Sequence, residues 1–318
     1  MRSMHRQPCM SNFLIAIPGS FSAPFGPLSL ARERAGVRET QSTHKLNSLV
    51  AILCLLACLL ASTTHGQVTQ TLGPCEPGFV KQWPRGLPIR LAATSAAGGT
   101  ATATILLEWL GHSSFLLTSP DGLRLLTDPN GWHPIAAAPD VVTVSNFHAT
   151  HSDVSYVPGT PQVLWGLTPE RGWNQIALTL KDVSLFNLPS YASLTEPEES
   201  PIQNSIFVFR TGGLCIVHLG NLRHPLTPRQ LQRIGKPDVL MIPADGMWTM
   251  AYDDALTVIN QLQPLLVIPM HIEVTQHAEV FVQSTAGRYP VRRVSGRTLT
   301  VNRAVLPTTT EIVVFSDP

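Results

Sequence analysis

The feature that most constrains this chain is a histidine-rich turn directly after a short apolar run. The run 141–144 (VVTV) predicts a buried strand, and the segment 145–153 (SNFHATHSD) follows it. His148 and His151 lie three residues apart in that segment. A strand end is rigid and a turn can aim imidazole rings, so the combination is typical of a metal site. Because two neighbouring histidines are weak support by themselves, the interpretation depends on the rest of the chain.

Composition narrows the classes of partner. Hydrophobic residues make up 44% of the 318 residues, which is ample for a core. Charged residues make up 14%, which is low for a soluble domain. The length is compatible with one large domain or two small ones. A formal net charge of +1, with no run of Lys or Arg, gives no electrostatic reason for nucleic-acid binding. We therefore expect a small-molecule substrate or ligand and no nucleic acid.

An apolar segment near the N-terminus predicts export. The segment 49–60 (LVAILCLLACLL) is too short to span a bilayer comfortably, Lys45 precedes it, and small polar residues follow it. We interpret 45–66 as a secretory signal peptide, which implies a periplasmic or extracellular protein with no membrane span after processing. Two alternatives stay open: lipoprotein processing at Cys58, which would leave a lipid anchor, and an uncleaved anchor.

The remaining N-terminal residues differ in texture from the predicted domain. Segment 1–44 lacks periodicity and is interpreted as a mis-called start or as disordered, and 67–104 is a Gly/Ala/Thr/Pro-rich linker or N-terminal extension. The folded domain is then 105–318. Of the five cysteines, Cys75 and Cys215 would remain after processing. Because Cys215 sits in an apolar run, a buried small side chain is favoured over a disulfide with Cys75.

Within the domain, strands and helices alternate after a series of hairpins. Residues 120–122 (PDG) mark one hairpin, and Thr227, Gln230 and Gly235 mark the start and stop of a helix through a capping box and a terminal glycine. A second helix is expected over 249–262. Strands are expected at 105–110, 115–118, 123–127, 162–165, 176–180, 183–188, 205–209, 214–218, 239–242, 265–268, 298–301 and 312–315. The pattern predicts an α/β architecture with two sheets in the middle.

Several short motifs, in a particular order, carry a family resemblance. They are WLGHSSF at 109–115, TDP at 127–129, the histidine-rich turn, HLGN at 218–221, IP at 242–243 and IPMH at 268–271. In this order they resemble the metallo-β-lactamase fold family, over about 105–272. The most similar branch is the Zn-dependent hydrolases related to ascorbate-phosphate lactonase. The resemblance implies a four-layer αββα sandwich with its metal site at the sheet edges.

The family's ligand positions are only partly kept. Its first turn usually reads His-x-His-x-Asp-His, and the four ligand positions are occupied here by Asn146, His148, Thr150 and His151. Farther on, Ala192 stands where the family has a histidine, Asn221 where it has an aspartate, and His271 is as in the family. Three of seven ligands thus remain: His148, His151 and His271.

A two-zinc centre is not expected, because carboxylates that would offset four positive charges are missing. Two interpretations stay open. In the first, His148, His151 and His271 bind one zinc ion with an open fourth position, and Asp128, Asp153 or Asp245 supports a ligand or acts as general base. In the second, no metal is bound, and a neutral polar pocket serves a non-catalytic binding protein.

Other residues are expected to line the same pocket. These are His112, Asn146, Thr150, Asn221 and His224, with His112 alternatively a structural hydrogen-bonding residue. Trp132, Phe147, Trp165 and Trp248 either line the pocket or belong to the core. The favoured function is single-zinc hydrolysis of an ester, lactone or phosphoester, and whether the protein is an enzyme stays open against the binding protein.

Overall fold

The computed structural model describes residue 75 and residues 103–192, 200–273 and 275–316. The predicted signal peptide, the segment before it and most of the predicted linker lie outside the described residues. All described residues belong to one compact unit, Thr69–Pro318. Within these ranges, no helix has the length and apolar character that a bilayer span requires.

The first sheet carries the histidine-rich turn at the end of one of its strands. In the described part of the chain it has six strands, in the order β13-β1-β2-β3-β4-β5. They are β1 (Ile105–Trp109), β2 (Phe115–Thr118), β3 (Arg124–Thr127), β4 (Val141–Val144), β5 (Gln162–Trp165) and β13 (Thr298–Val301). β1, β2 and β3 pair antiparallel, whereas β4 pairs parallel with both β3 and β5.

The second sheet, counted over the same residues, has eight strands in the order β12-β14-β11-β10-β9-β8-β7-β6. They are β6 (Ala177–Leu180), β7 (Val183–Tyr191), β8 (Ile202–Thr211), β9 (Leu214–His218), β10 (Val239–Pro243), β11 (Leu266–Met270), β12 (Val291–Val294) and β14 (Glu311–Phe315). β9, β10 and β11 are parallel neighbours in which every residue is buried. Strands covered on both faces need continuous apolar sequences, and these runs supply them.

Four α-helices lie among the described residues. They are α1 (Ala149–Ser152), α2 (Pro228–Ile234), α3 (Tyr252–Leu262) and α4 (Thr275–Ser284). The capping box of α2 is confirmed, since Thr227 and Gln230 exchange side-chain bonds with each other's backbone N–H groups. The start of α3 was predicted three residues too early. Thr249 donates its backbone N–H and its hydroxyl to Asp245, so it belongs to a loop that precedes the helix.

The two sheets share one core. Phe115 from the first sheet and Phe207 and Phe209 from the second are fully buried, and Trp109 stacks on Phe315 with ring centroids 5.9 Å apart. The predicted α/β class with two central sheets is confirmed. Sequence patterns missed α1, α4 and β12. The burial pattern of β12, with no fully buried residue, explains why its apolar signal was weak.

The interpretation of Cys215 as an unpaired buried side chain is wrong. Cys215 in β9 forms a disulfide with Cys75, and the two Cα atoms are 6.1 Å apart, within the range that a disulfide spans. The partners are separated by 140 residues, so no local pattern could reveal the pairing. The apolar surroundings that suggested a plain core residue are compatible with a disulfide, because both cysteines are buried.

Candidate metal centre

Three histidines from three separate chain segments meet where strands of both sheets end. His112 lies in the turn after β1, His151 lies in α1 after β4, and His271 directly follows β11. One side-chain nitrogen of each lies within 4.8 Å of the others. Ring centroids are 4.1 Å apart for His112 and His271, 5.0 Å for His112 and His151, and 5.3 Å for His151 and His271. Such a group of imidazoles can hold one metal ion.

A buried carboxylate fixes the orientation of His151. The Oδ2 atom of Asp128 is 2.6 Å from Nδ1 of His151 and accepts a hydrogen bond from the Ser145 hydroxyl at 2.6 Å, while Oδ1 accepts from the Ser145 backbone N–H at 2.7 Å. With Nδ1 engaged, Nε2 of His151 is buried and has no hydrogen-bond partner among the described residues. That nitrogen is the one available to the cluster.

The protonation states of this pair suit metal binding. Burial by itself raises the pKa of Asp128, but the charge and hydrogen bond of His151 and the bond from Ser145 bring it below its ordinary value. Burial lowers the pKa of His151, although Asp128 acts in the opposite direction. The stable arrangement is therefore an ionised Asp128 that accepts a hydrogen bond from the Nδ1–H of neutral His151. The lone pair of Nε2 is then free for a cation.

His271 is held in the same way by a second carboxylate. Its Nδ1 is 2.9 Å from Oδ2 of Asp245. Burial by itself raises the pKa of Asp245, but hydrogen bonds from His271, Thr249 and the Met247 backbone N–H lower it overall. Asp245 is thus ionised, and its two oxygens are occupied by a histidine and by the backbone of its own loop. Carboxylates behind ligating histidines fix ring orientation and strengthen metal binding.

The third histidine is neutral because of where it lies. Burial, with the neighbouring His271 and His151, lowers the pKa of His112 to about 2. Its backbone carbonyl accepts hydrogen bonds from the His271 N–H at 3.0 Å and the Trp109 indole at 3.1 Å, which joins the two sheets at this point. Its Nδ1 is buried without a partner in the described ranges. His112 and His151 thus each have one buried ring nitrogen that the described residues do not satisfy.

Backbone strain is concentrated at the same residues. His112, Asp128 and His271 have φ values of 50°, 41° and 60°, in the left-handed region that side chains other than glycine rarely adopt. Each such residue costs roughly 1–3 kcal/mol, and the surrounding packing must hold it in place. Strained backbone at three residues of one cluster is typical of a site that is kept for function.

His148 lies beside the cluster and not in it. Its ring centroid is 6.4 Å from that of His151, its side chain is exposed, and its Nδ1 is 2.9 Å from the Thr150 hydroxyl. The Asn146 side-chain oxygen accepts the His148 backbone N–H at 2.9 Å and holds this turn. Of the predicted ligands, the structure brings together His151 and His271, with His112 in the third place. His112 shares one sequence signal with them, a position in the segment that follows a strand.

The other predicted site residues have different surroundings. Asp153 accepts bonds from the backbone and hydroxyl of Ser155 at the start of a short 3₁₀ helix, Val154–Tyr156, which gives it a capping role. Both ring nitrogens of His224 are engaged, by the Tyr191 N–H at 3.2 Å and the Pro225 carbonyl at 2.7 Å. The Asn221 side-chain oxygen is buried without a described partner.

A glycine brings the second sheet close to the Asp128 carboxylate. Gly220 has a φ of 57°, and a Cβ atom there would lie 2.3 Å from the Asn204 side-chain oxygen and 2.7 Å from Cβ of Ser145. Ser145 is the residue that donates twice to Asp128. Only glycine therefore allows the turn after β9 to pack against the residue that anchors this carboxylate.

The comparison with known families agrees with this geometry. Residues 106–271, more than half of the chain, match the family described as the beta-lactamase superfamily domain. The chain belongs to this family, and the fold predicted from the sequence motifs is confirmed.

The individual relatives have low sequence identity to this chain, but the similarity covers most of their own length. A "UPF0173 metal-dependent hydrolase" of Methanosphaera stadtmanae is 26% identical over 56% of this chain and 90% of the relative. A protein of the same description from Methanoculleus marisnigri is 25% identical over 52% of this chain and 80% of the relative. A crystal structure from Thermotoga maritima, of a proposed Zn-dependent hydrolase of the metallo-β-lactamase superfamily, covers 67% of this chain and 100% of its own, with 26% identity and a TM-score of 0.53.

Two single substitutions distinguish the histidine cluster of the structure, as a candidate ligand set, from the ligand set expected from the sequence. We expect His112→Ala to weaken zinc binding by about a hundredfold or more, because it removes one of three converging nitrogens. His148→Ala, at an exposed ring outside the cluster, should retain one ion per chain. Zinc content after dialysis against a weak chelator, measured by mass spectrometry, distinguishes them. Loss of zinc from the His148 variant alone would contradict the geometry.

The carboxylates behind the histidines allow a second test. Asp128→Asn and Asp245→Asn should each lower zinc affinity by roughly 10–100-fold, because the charge that orients each imidazole is removed. Asp153→Asn is the matched control, because it makes the same substitution at a carboxylate whose recorded hydrogen bonds are to Ser155 and not to a histidine. Affinity is measured by competition with a chromophoric chelator, and far-UV circular dichroism checks folding. Equal losses of zinc affinity in all three variants would mean that the effect is not specific to the Asp128–His151 and Asp245–His271 pairs.

Proposed function

We propose that this protein is a metal-dependent hydrolase that uses one zinc ion bound by His112, His151 and His271. The observation that carries the proposal is the Nε2 atom of His151, which is buried and without a described partner while Nδ1 is held by Asp128. A buried polar atom left unsatisfied costs about 1–3 kcal/mol. A cation bound by the three imidazoles would remove that cost. It would also give the strained backbone at His112 and His271 a function.

The donor set suits a single ion. Three imidazole ligands favour zinc with an open fourth position, as in catalytic three-histidine sites. Thr150 and Asn221 stand where carboxylate ligands would be needed to balance a second ion, and neither carries a charge. When bound, the zinc ion would supply a Lewis acid and a nucleophile derived from water at neutral pH.

The residues of the chain divide the remaining tasks. Asp128 and Asp245 orient two imidazoles, and because their oxygens are already engaged, neither is free to act as general base. His148 is exposed next to His151, with one ring nitrogen bonded to the Thr150 hydroxyl. We assign proton exchange with solvent to His148, which makes it a proton-transfer residue in place of a ligand.

Relatives support the reaction class. Proteins whose sequences are similar to this chain over 90% and 80% of their own length are described as metal-dependent hydrolases. The bond hydrolysed is that of an ester, lactone or phosphoester. A non-catalytic binding protein is the second candidate, favoured by the neutral residues Asn146, Thr150, Ala192 and Asn221 at ligand positions of the family.

Metal content and hydrolysis test the proposal together. The purified protein is assayed for metals and against 4-nitrophenyl esters, a γ-lactone and a phosphodiester. We expect about one ion per chain, activity lost on chelation and regained with zinc, and no activity in His271→Ala. His148→Ala should keep the ion while kcat falls at least tenfold. A folded protein that contains no metal and is not stabilised by added zinc would favour the binding protein.

We further propose that the protein is exported through the segment 45–66. The Cys75–Cys215 disulfide supports this proposal, because structural disulfides persist mainly in oxidising compartments. The side chains of Cys75 and Cys215 are buried, so their disulfide bond is shielded from reducing agents in solution.

Mass spectrometry of the native protein tests export. We expect a mature N-terminus near residues 61–67 and no alkylation of Cys75 or Cys215 until the protein is unfolded and reduced. A lipid-modified Cys58 would indicate the lipoprotein route. Intact peptides from residues 45–60 in a cytosolic fraction, with both thiols free, would contradict the proposal.

A further inference from the structure

Exposed apolar side chains are concentrated around the three histidines. The described residues include seven large hydrophobic side chains that are exposed, and four of them, Trp132, Phe147, Met247 and Trp248, are attached to the segments that build the candidate metal centre. Met247 and Trp248 are 76% and 72% exposed, and Trp132 and Phe147 are 40% and 39% exposed. We call these four residues the apolar rim. Because all four belong to segments that build one site, they differ from surface hydrophobics scattered singly over the molecule.

Each part of the rim is fixed to a member of the centre. The Trp132 ring lies 5.4 Å from that of His112, and its Cε3 atom would be 2.9 Å from a Cβ at Gly111. The Met247 and Trp248 backbone N–H groups donate to Asp245, whose other oxygen holds His271.

Phe147 directly precedes His148 and stacks on Trp165 with centroids 5.6 Å apart. The rim therefore does not consist of loosely attached side chains: Trp132 contacts His112, the Met247 and Trp248 backbone is bound to Asp245, and Phe147 is held by Trp165.

The rim segments are nearly free of charge. Segments 130–135 (NGWHPI), 146–150 (NFHAT) and 244–251 (ADGMWTMA) contain no Lys, Arg or Glu and a single Asp, Asp245, which is bound to His271. Arg297 contacts the first segment, where its guanidinium is hydrogen-bonded to His133. The three segments themselves supply no cation to an anionic substrate group, whereas an apolar group lying on the rim would bury hydrophobic surface.

From this geometry, and resting on the proposed function, we infer that the substrate is an uncharged ester or lactone with an apolar acyl or aryl group. That group lies on Trp132, Phe147, Met247 and Trp248 while the scissile bond faces the three histidines. Among the bond types above, this favours the ester and the lactone over the phosphoester, whose charge the rim segments do not match. Met247 and Trp248 are the specificity-determining residues, because they are the most exposed and therefore lose the most contact with water on binding.

The test compares two double variants. Met247→Ser/Trp248→Ser removes the most exposed part of the rim, and Val280→Ser/Val305→Ser removes two exposed apolar side chains elsewhere. For the wild type, kcat/KM for 4-nitrophenyl esters of two to eight acyl carbons should rise about two- to threefold per methylene. The rise should disappear in the rim variant and persist in the control. An equal rise in both variants overturns the inference.

A binding measurement keeps the inference separate from the proposed function. Hexanamide and octanamide, which are uncharged and are not esters, are titrated while the indole N–H signals are followed by NMR, with Trp248→Phe assigning its signal. Tighter binding of octanamide through Trp248, lost in the rim variant, supports the inference even if no ester is hydrolysed. In that case only the proposed function fails.

The same variants test whether a lipid surface, and not a substrate group, binds to the apolar rim. Co-sedimentation with neutral phosphatidylcholine vesicles is measured for the wild type and both double variants. We expect no vesicle binding that depends on Met247 and Trp248. Vesicle binding that the rim variant loses, with an unchanged octanamide titration, overturns the inference in favour of membrane docking.

Discussion

The hydrogen bond between the Asp128 carboxylate and His151 is the interaction on which the rest of the site depends. An ionised group that is fully buried is costly unless every oxygen is compensated, and here Ser145 and His151 provide that compensation. The same contact decides which imidazole nitrogen carries the proton and which one faces the cluster. A second dyad, Asp245 with His271, repeats the device from the other sheet. Two carboxylates thereby orient histidines instead of binding metal themselves.

This division of labour explains how the chain can lack most of its family's ligands and still build a coherent site. A binuclear centre needs acidic ligands to balance charge, and the neutral residues Thr150 and Asn221 cannot supply it. The single divalent ion proposed for the three imidazoles would have a smaller charge to balance, and the carboxylates of Asp128 and Asp245 behind the rings would balance it. The replacement of acids at ligand positions and the retention of acids behind the histidines are therefore one consistent electrostatic arrangement. The proposed apolar substrate group agrees with this arrangement, because the rim segments around the centre contain no Lys, Arg or Glu.

Much of the fold was readable from local patterns, because those patterns express local physics. The buried runs of β9, β10 and β11 were visible as continuous apolar stretches, and the capping box at Thr227 was visible because its bonds lie within four residues. Strand ends followed by histidines indicated where a site would form. The family resemblance added the four-layer αββα order and the place of the metal site at the sheet edges, since the order of motifs carries topology that composition does not.

By itself, the sequence determined the strands, the main helices and the set of histidines and aspartates from which the site is drawn. Only the tertiary structure decided which of them meet. His148 is nearer to His151 in the sequence than His112 is, yet α1 begins directly after His148 and leaves its ring exposed, whereas the left-handed backbone of His112 directs that residue inward between the two sheets. The Cys75–Cys215 bond was undetermined for the same reason. Contacts between residues distant along the chain depend on how the sheets stack, and no short window of sequence contains that information.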